Sequence, residues 1–473
     1  MSDAARAADA APRPVTGSRV ARLARQLEAA RDAAARDALT EAFWEEAART
    51  GTPLVEALDD APGHRAVTFL WRGHRATRQV LLMATGIGDP DRRAGTLLHH
   101  LPGTDVWYLG YRLRADHRGS YRLVADISPG PAPVDPALLQ RRLAALTAHG
   151  GADPLNPCRL PARRRAVESS VFALPEAPPQ PWAGRRADVR RGAVERHTLA
   201  GRSPGEGREV WTYLPPEGAD RPGDGRPVPV PVPVPVPGPL PVLVLCDGDM
   251  WFGRLGFQDT LDALIADGAL PPLVVLSPDG EGTEGAEDGE AAGSLRRDPG
   301  GREAYAAFLA DELLPWARAR WPLTADADRT AVSGQGPGGT TALYAALTRP
   351  ERFGRVLVQS PSPDGRPDGE EGTPGEGDRM PDGGDRTTAG GGRTADGDRT
   401  TVGGDRIPGP VVHLALGLHD GAAWAEHGEA LVPALRVRGH RVVRTVHNGG
   451  RDHACWQGLL ADALVETFRS TST

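Results

Sequence analysis

Between residues 20 and 44 the apolar positions Val20, Leu23, Leu27, Ala30, Ala34 and Leu39 recur at near-helical spacing, with Arg, Glu and Asp between them. The spacing predicts one amphipathic helix. Its charged face mixes both signs, whereas helices that lie on a membrane are usually basic, so docking on its own domain is the expected use. Residues 1–16 are Ala, Pro and polar and are expected to form a disordered lead-in. Residues 1–63 thus read as lead-in plus helix.

The period then changes. Within 64–128, the segments 67–71, 79–83, 106–111 and 120–124 are short, mostly rich in aromatic or β-branched residues, and bounded by turn residues. A small antiparallel β-sandwich fits them best. Residues 129–192 are Pro-rich, with one short helical pattern near 136–148, and read as a connector.

From 193 to 473 strand and helix patterns alternate. Apolar strands are predicted at 210–214, 242–246, 273–276, 330–333, 355–359, 411–416 and 441–447. Helical patterns lie at 257–267, 302–320, 340–348, 425–438 and 455–469. Near-continuous apolar runs suit strands buried on both faces, so the fold class is α/β, a mostly parallel sheet flanked by helices.

Composition narrows the classes. A chain of 473 residues has room for two or three domains. Its 59 Gly and 45 Pro require a substantial share of loop or low complexity. Two insertions supply much of it. Residues 227–237 are a stiff Pro-Val repeat. Residues 361–410 are rich in Gly, Asp, Arg and Thr, nearly without large apolar side chains, and are expected to be disordered. The Gly/Asp run invites a calcium-repeat reading, which its irregular spacing disfavours. No stretch approaches the ~20 apolar residues of a membrane span, and the start lacks a basic-then-apolar leader. Cys158, Cys246 and Cys455 are too far apart for a disulfide scaffold or Cys-rich zinc module. A net charge of -7 disfavours a generic nucleic-acid binder. All 55 basic residues are Arg, a composition bias that says nothing of function.

The most informative stretch is Ser333-Gly334-Gln335-Gly336-Pro337-Gly338-Gly339-Thr340. A buried strand runs into a Gly-rich turn and then a small-residue helix. This is the setting of the nucleophile elbow, Gly-x-Ser-x-Gly. Here the central residue is Gly336, which has no side chain to attack with.

The chain resembles the enterochelin (ferric enterobactin) esterase family. The likeness rests on several motifs in order. In the predicted sandwich they are Val67-Thr68-Phe69-Leu70-Trp71-Arg72, Gly103-Thr104-Asp105-Val106-Trp107, Arg118-Gly119-Ser120-Tyr121 and Asp153-Pro154-Leu155-Asn156-Pro157. Beyond it come Asp247-Gly248-Asp249-Met250-Trp251, Pro350-Glu351-Arg352-Phe353-Gly354, and Gly449-Gly450-Arg451-Asp452-His453-Ala454-Cys455-Trp456. The resemblance implies an α/β-hydrolase domain behind an N-terminal β-sandwich. It also implies a cytoplasmic hydrolase of ferric catecholate siderophores such as enterobactin, with no cofactor of its own. Iron would enter only as part of the bound siderophore. Neither nucleic acid nor membrane is an implied partner.

The departures fall on the catalytic machinery. The family's nucleophile Ser position is Gly336 and its catalytic His position is Arg451, always charged and unable to act as a base. The residue after the nucleophile gives a backbone N–H to the oxyanion hole, and Pro337 has none. The acid position, after the sixth predicted strand, is Asp420 and is retained. His453, two places beyond the expected His, is a candidate displaced base. Ser333, Ser360 and Ser362 are weaker candidate nucleophiles. Gly248, Asp249 and Trp251 are expected at the strand edge where such folds bind ligands, with Trp251 lining the pocket in preference to simple core packing. Arg296 or Arg297 is a candidate for holding anionic oxygens, a solvated loop being the other reading, and Arg451 would add positive charge. His413, His419, His427, His447 and His453 cluster without a metal-ligand spacing, so no metal site is expected. Three readings follow: a degenerate esterase that retains siderophore binding, a working esterase using His453, and a protein-interaction module.

Overall fold

The computed structural model describes residues 3–130, 133–162, 167–199, 207–216, 238–280, 299–363 and 409–469. The Pro-Val repeat, Arg296, Arg297 and nearly all of the 361–410 insertion lie outside the described residues.

The N-terminal domain is an antiparallel sandwich of two sheets. One orders Arg13–Pro14, Val106–Arg114, His64–Arg72 and Leu54–Ala57, with His99–His100 also paired to Val106–Arg114. The other orders Gln79–Ala84, Arg118–Asp126, Ser169–Ala173 and Arg159–Leu160. Val67, Phe69, Val80, Leu82, Leu109, Tyr121 and Leu123 fill the space between them.

The sandwich therefore reaches beyond 64–128 on both sides, and part of the expected connector belongs to it. Strands of two to five residues carry too few alternations for a period to emerge. Residues 1–16 also differ from the expected lead-in: Asp3–Ala10 is helical and Arg13–Pro14 adds to a sheet edge. The single helix predicted over 20–44 is two helices, Ser18–Ala29 and Ala33–Thr50. Asp32 caps the second by accepting from the Ala35 N–H at 2.8 Å. Their apolar faces (Val20, Leu23, Leu27, Phe43, Trp44) pack on Leu54, Leu70 and Val106.

The second domain is an eight-stranded sheet. Its strands are β1 (Ala193–Leu199), β2 (Arg208–Leu214), β3 (Val242–Leu245), β4 (Val274–Pro278), β5 (Thr330–Gln335), β6 (Arg355–Gln359), β7 (Val411–Gly417) and β8 (Val442–His447). They are ordered β1-β2-β4-β3-β5-β6-β7-β8, antiparallel over β1, β2 and β4 and parallel thereafter. β1 escapes a hydrophobicity reading because its edge position leaves Glu195, Arg196 and Thr198 exposed. With β1 counted, Asp420 follows the seventh strand.

Alternation along β3 sends Val242 and Val244 into the core under one sheet face, and Leu243 and Leu245 into the other. Helix Pro337–Thr348 covers the first face and helix His453–Phe468 the second. The result places the carboxyl ends of β3, β5, β6 and β7 along one edge, where the candidate residues gather.

Candidate active site

Between β5 and helix Pro337–Thr348 stands Gly336, with φ 54° and ψ -125°. An L-residue is strained in that conformation and glycine is not. The sharp strand-to-helix turn of a nucleophile elbow is thus built around a residue without a side chain. Its N–H donates to the Gln359 carbonyl at 3.0 Å, and its carbonyl accepts from Thr340 N at 3.1 Å and Ser362 N at 3.3 Å. Pro337 opens the helix and contributes no N–H.

A buried chain of side chains holds the turn from below. Trp251 Nε1 donates to Gln335 Oε1 at 3.0 Å, Gln335 Nε2 to Gln359 Oε1 at 2.9 Å, and Gln359 Nε2 to the Trp456 carbonyl at 3.0 Å. It ties the segment after β3 to β5, β6 and the C-terminal helix at the elbow. Neither glutamine stood out in the sequence, because a Gln inside a motif's variable position carries no signal of its own. Trp251 is fully buried, packed on Phe257 and edge-on to His453, so it supports the elbow from the core rather than lining an open pocket.

Asp420 lies beyond β7 and is 3% exposed. The Gly417 N–H donates to its Oδ2 at 2.8 Å, while Oδ1 has no hydrogen-bond partner among the described residues. Burial pushes the carboxyl up to about 6, with the Gly417 N–H, the Ser360 hydroxyl and the Arg451 charge pulling it back. In a triad this residue accepts an imidazole N–H. His453 does not supply one to Oδ1. As the first residue of the C-terminal helix it is packed between Trp251 and Trp456, with ring centroids 5.6 Å and 4.9 Å away.

Arg451 is exposed, and its Cζ sits 4.0 Å from the centroid of the Trp424 ring. A Cβ on Gly336 would lie 3.9 Å from Trp424 Cη2 and 4.0 Å from Cζ3. The indole therefore spans from the vacant nucleophile seat to the expected histidine position.

Residues 66–183 match the family described as Enterochelin esterase, N-terminal, and residues 225–472 match the family Esterase. The chain is 30% identical to the iron(III) salmochelin esterase of Escherichia coli O6:H1, over 89% of this chain and 92% of that protein. The chain belongs to the enterochelin esterase family. It is also 32% identical to the iron(III) enterobactin esterase of Dickeya dadantii, over 90% of this chain and 92% of that protein. Its structure is similar to that of ferric enterobactin esterase from Salmonella typhimurium, with a TM-score of 0.65 and 25% identity over 91% of this chain and 98% of that one. The α/β-hydrolase fold behind an N-terminal domain is thereby shared.

The remaining candidates of this enterochelin esterase family member fall into place around the elbow. Gly248 opens a short helix, Gly248–Trp251, where a Cβ would meet the Ser277 carbonyl at 2.2 Å, so only glycine fits. Asp249 Oδ1 accepts from the Gly280 N–H at 3.2 Å. Ser333 is buried inside the sheet. Ser360, at φ 45°, is buried with its Oγ 3.4 Å from the Trp456 Nε1–H. Ser362 is half-buried beside the elbow, its Oγ 3.4 Å from the Thr340 hydroxyl. Among the described residues no group of three or more His, Cys, Asp or Glu is placed to hold a metal, and no helix is long and apolar enough to cross a membrane.

The N-terminal domain closes one side of this edge. Asp452, next to Arg451, accepts from Ala454 N at 2.9 Å as cap of the C-terminal helix and from Ser120 N of the sandwich at 2.7 Å. His117 of the sandwich and His419 both reach Asn448 Oδ1, at 3.2 Å and 2.8 Å, with their rings 5.0 Å apart.

Proposed function

We propose that this chain binds a ferric catecholate siderophore of the enterobactin type, in the cytoplasm, without cleaving its esters. The carrying observation is the elbow itself. Its backbone keeps the sharp turn at Gly336, yet no side-chain oxygen projects from it, and among the described residues no imidazole reaches the Oδ1 of Asp420. Serine hydrolysis needs a nucleophile, a base and oxyanion donors. Gly336, Arg451 and Pro337 remove the first, the second and one of the third. Removing a triad member alone costs several orders of magnitude.

The similar proteins are esterases of iron(III) enterobactin and salmochelin, which supports the ligand class. Arg451 supports retained binding, because a ferric tris-catecholate is anionic and a positive side chain at the site attracts it. Iron then arrives as cargo of the ligand, and the reading needs no resident cofactor. The displaced-base reading has less support, since His453 is held between two indoles.

The test is incubation of the purified chain with ferric enterobactin, followed by mass spectrometry for linear products. The control carries G336S, P337F and R451H together. No product from the native chain, with product from the control, is the expected result. Linear product from the native chain would overturn the reading, and Ser362 would be the first hydroxyl to replace.

A further inference from the structure

We propose that Trp424 and Arg451 form a stacked platform over the vacant elbow that recognises a planar anionic aromatic ring, the catecholate of the ligand; this rests on the siderophore-binding reading above. Trp424 belongs to no motif of the sequence. It lies four residues beyond Asp420, in the first turn of helix Ala422–Val437. From there its indole edge faces the position where a nucleophile side chain would begin, at 3.9 Å. Its face carries the Arg451 guanidinium at 4.0 Å. The charge of Arg451 also reaches Asp420, whose carboxyl it favours in the ionised form. The nucleophile and base positions thus converge on one indole, and the charge at the base position reaches the acid position.

The chemistry of that stack is selective. A guanidinium is flat, delocalised and always charged, and it stacks on aromatic faces while its N–H fork points outward in the plane. Oxygen anions on a neighbouring ring fit the fork, and the ring itself fits the apolar surface of the indole. Trp424 is half-buried and Arg451 exposed, so the stack stands at the surface of the site. Trp251 cannot serve as this wall, being fully buried. Where a hydrolase holds a hydroxyl and an imidazole, this chain holds an aromatic ring and a fixed cation.

The experiment is calorimetric titration of the full chain with three probes: ferric enterobactin, 2,3-dihydroxybenzoate and cyclohexanecarboxylate. The native chain should bind the first two and discriminate against the third, which has the charge without the aromatic ring. W424A and R451A should each weaken 2,3-dihydroxybenzoate by about threefold to fivefold, within the range of a cation–π contact at an exposed site. R451K should lose nearly as much, because it keeps the charge and loses the flat fork, whereas W424F should retain most of the affinity. Thermal midpoints of all four variants should stay near the native value, separating lost recognition from lost folding. W424A and R451A binding as tightly as the native chain would overturn the platform, and tighter binding by W424A would make the indole a plug. Ferric enterobactin bound with no preference between the two acids would sink the platform and leave the siderophore reading standing. A native chain that binds neither ferric enterobactin nor 2,3-dihydroxybenzoate would overturn both.

Discussion

Gly336 holds the sharp turn between β5 and helix Pro337–Thr348 without a side chain. Its place at that turn was legible in the sequence, because the Gly-rich turn, the preceding strand and the following helix fix the register around one position. The same register placed Pro337 at the start of the following helix. Trp424 was not, since an aromatic residue in the first turn of a helix reads as packing until its neighbours are known. Trp251 was misplaced for the opposite reason. A tryptophan after a core strand at the sheet's carboxyl edge reads as pocket lining ahead of core packing, and its 0% exposure decides for the core. The energetics of Gly336 give a prediction at this scale. In G336S the new Cβ meets nothing closer than 3.9 Å, so no steric clash opposes it. The positive φ remains, and holding an L-residue there costs about 1–3 kcal/mol. G336S should therefore melt a few degrees lower by scanning calorimetry. An equal or higher midpoint would mean that the elbow is not strained in this chain.

Elements with a strong period were read nearly to the residue, and β6 coincides with its predicted 355–359 range. Elements at edges were not. β1 is polar because water covers it, and the short sandwich strands are defined by their partners rather than by their own alternation. Asp32 caps the second N-terminal helix, and the apolar spacing runs through it without a break, so one helix was expected where there are two. Asp452 shows how an element junction carries a second duty. One carboxylate oxygen caps helix His453–Phe468 and the other takes the Ser120 N–H across the domain seam. D452A removes a cap and strands a buried N–H, which should cost about 2–4 kcal/mol in urea unfolding. D452N keeps one acceptor and should lose about half as much. Midpoints of D452A and the native chain that coincide would show that the junction is held elsewhere.

The two domains meet where His117, His419 and His447 are crowded together, a contact that no motif announces because it joins His117 to Asn448, 331 positions apart. Burial lowers His117 to about 3 and His447 to about 4, and it lowers His419 as well. Each is neutral in the folded chain and takes a proton more readily once exposed, where the ordinary value is 6.5. Their contribution to stability is therefore complete above pH 6.5 and is lost as the pH falls toward about 4. Charging His117 and His419 side by side also sets like charges against each other across the seam. Hydrogen exchange, corrected for intrinsic rates, should show the Arg118 and Ser120 amides losing protection at pH 5 relative to pH 7.5. The Val332 and Val356 amides in the central sheet should hold theirs, and uniform protection at both pH values would contradict a titrating seam. For the molecule as a whole, the central claim is a siderophore held intact by a hydrolase fold without its nucleophile. Native mass spectrometry of the chain mixed with ferric enterobactin tests this most directly. The expected spectrum is the protein plus one intact, cyclic, iron-loaded siderophore that persists over hours of incubation. A bound ligand one water heavier, or no adduct at all, would contradict it.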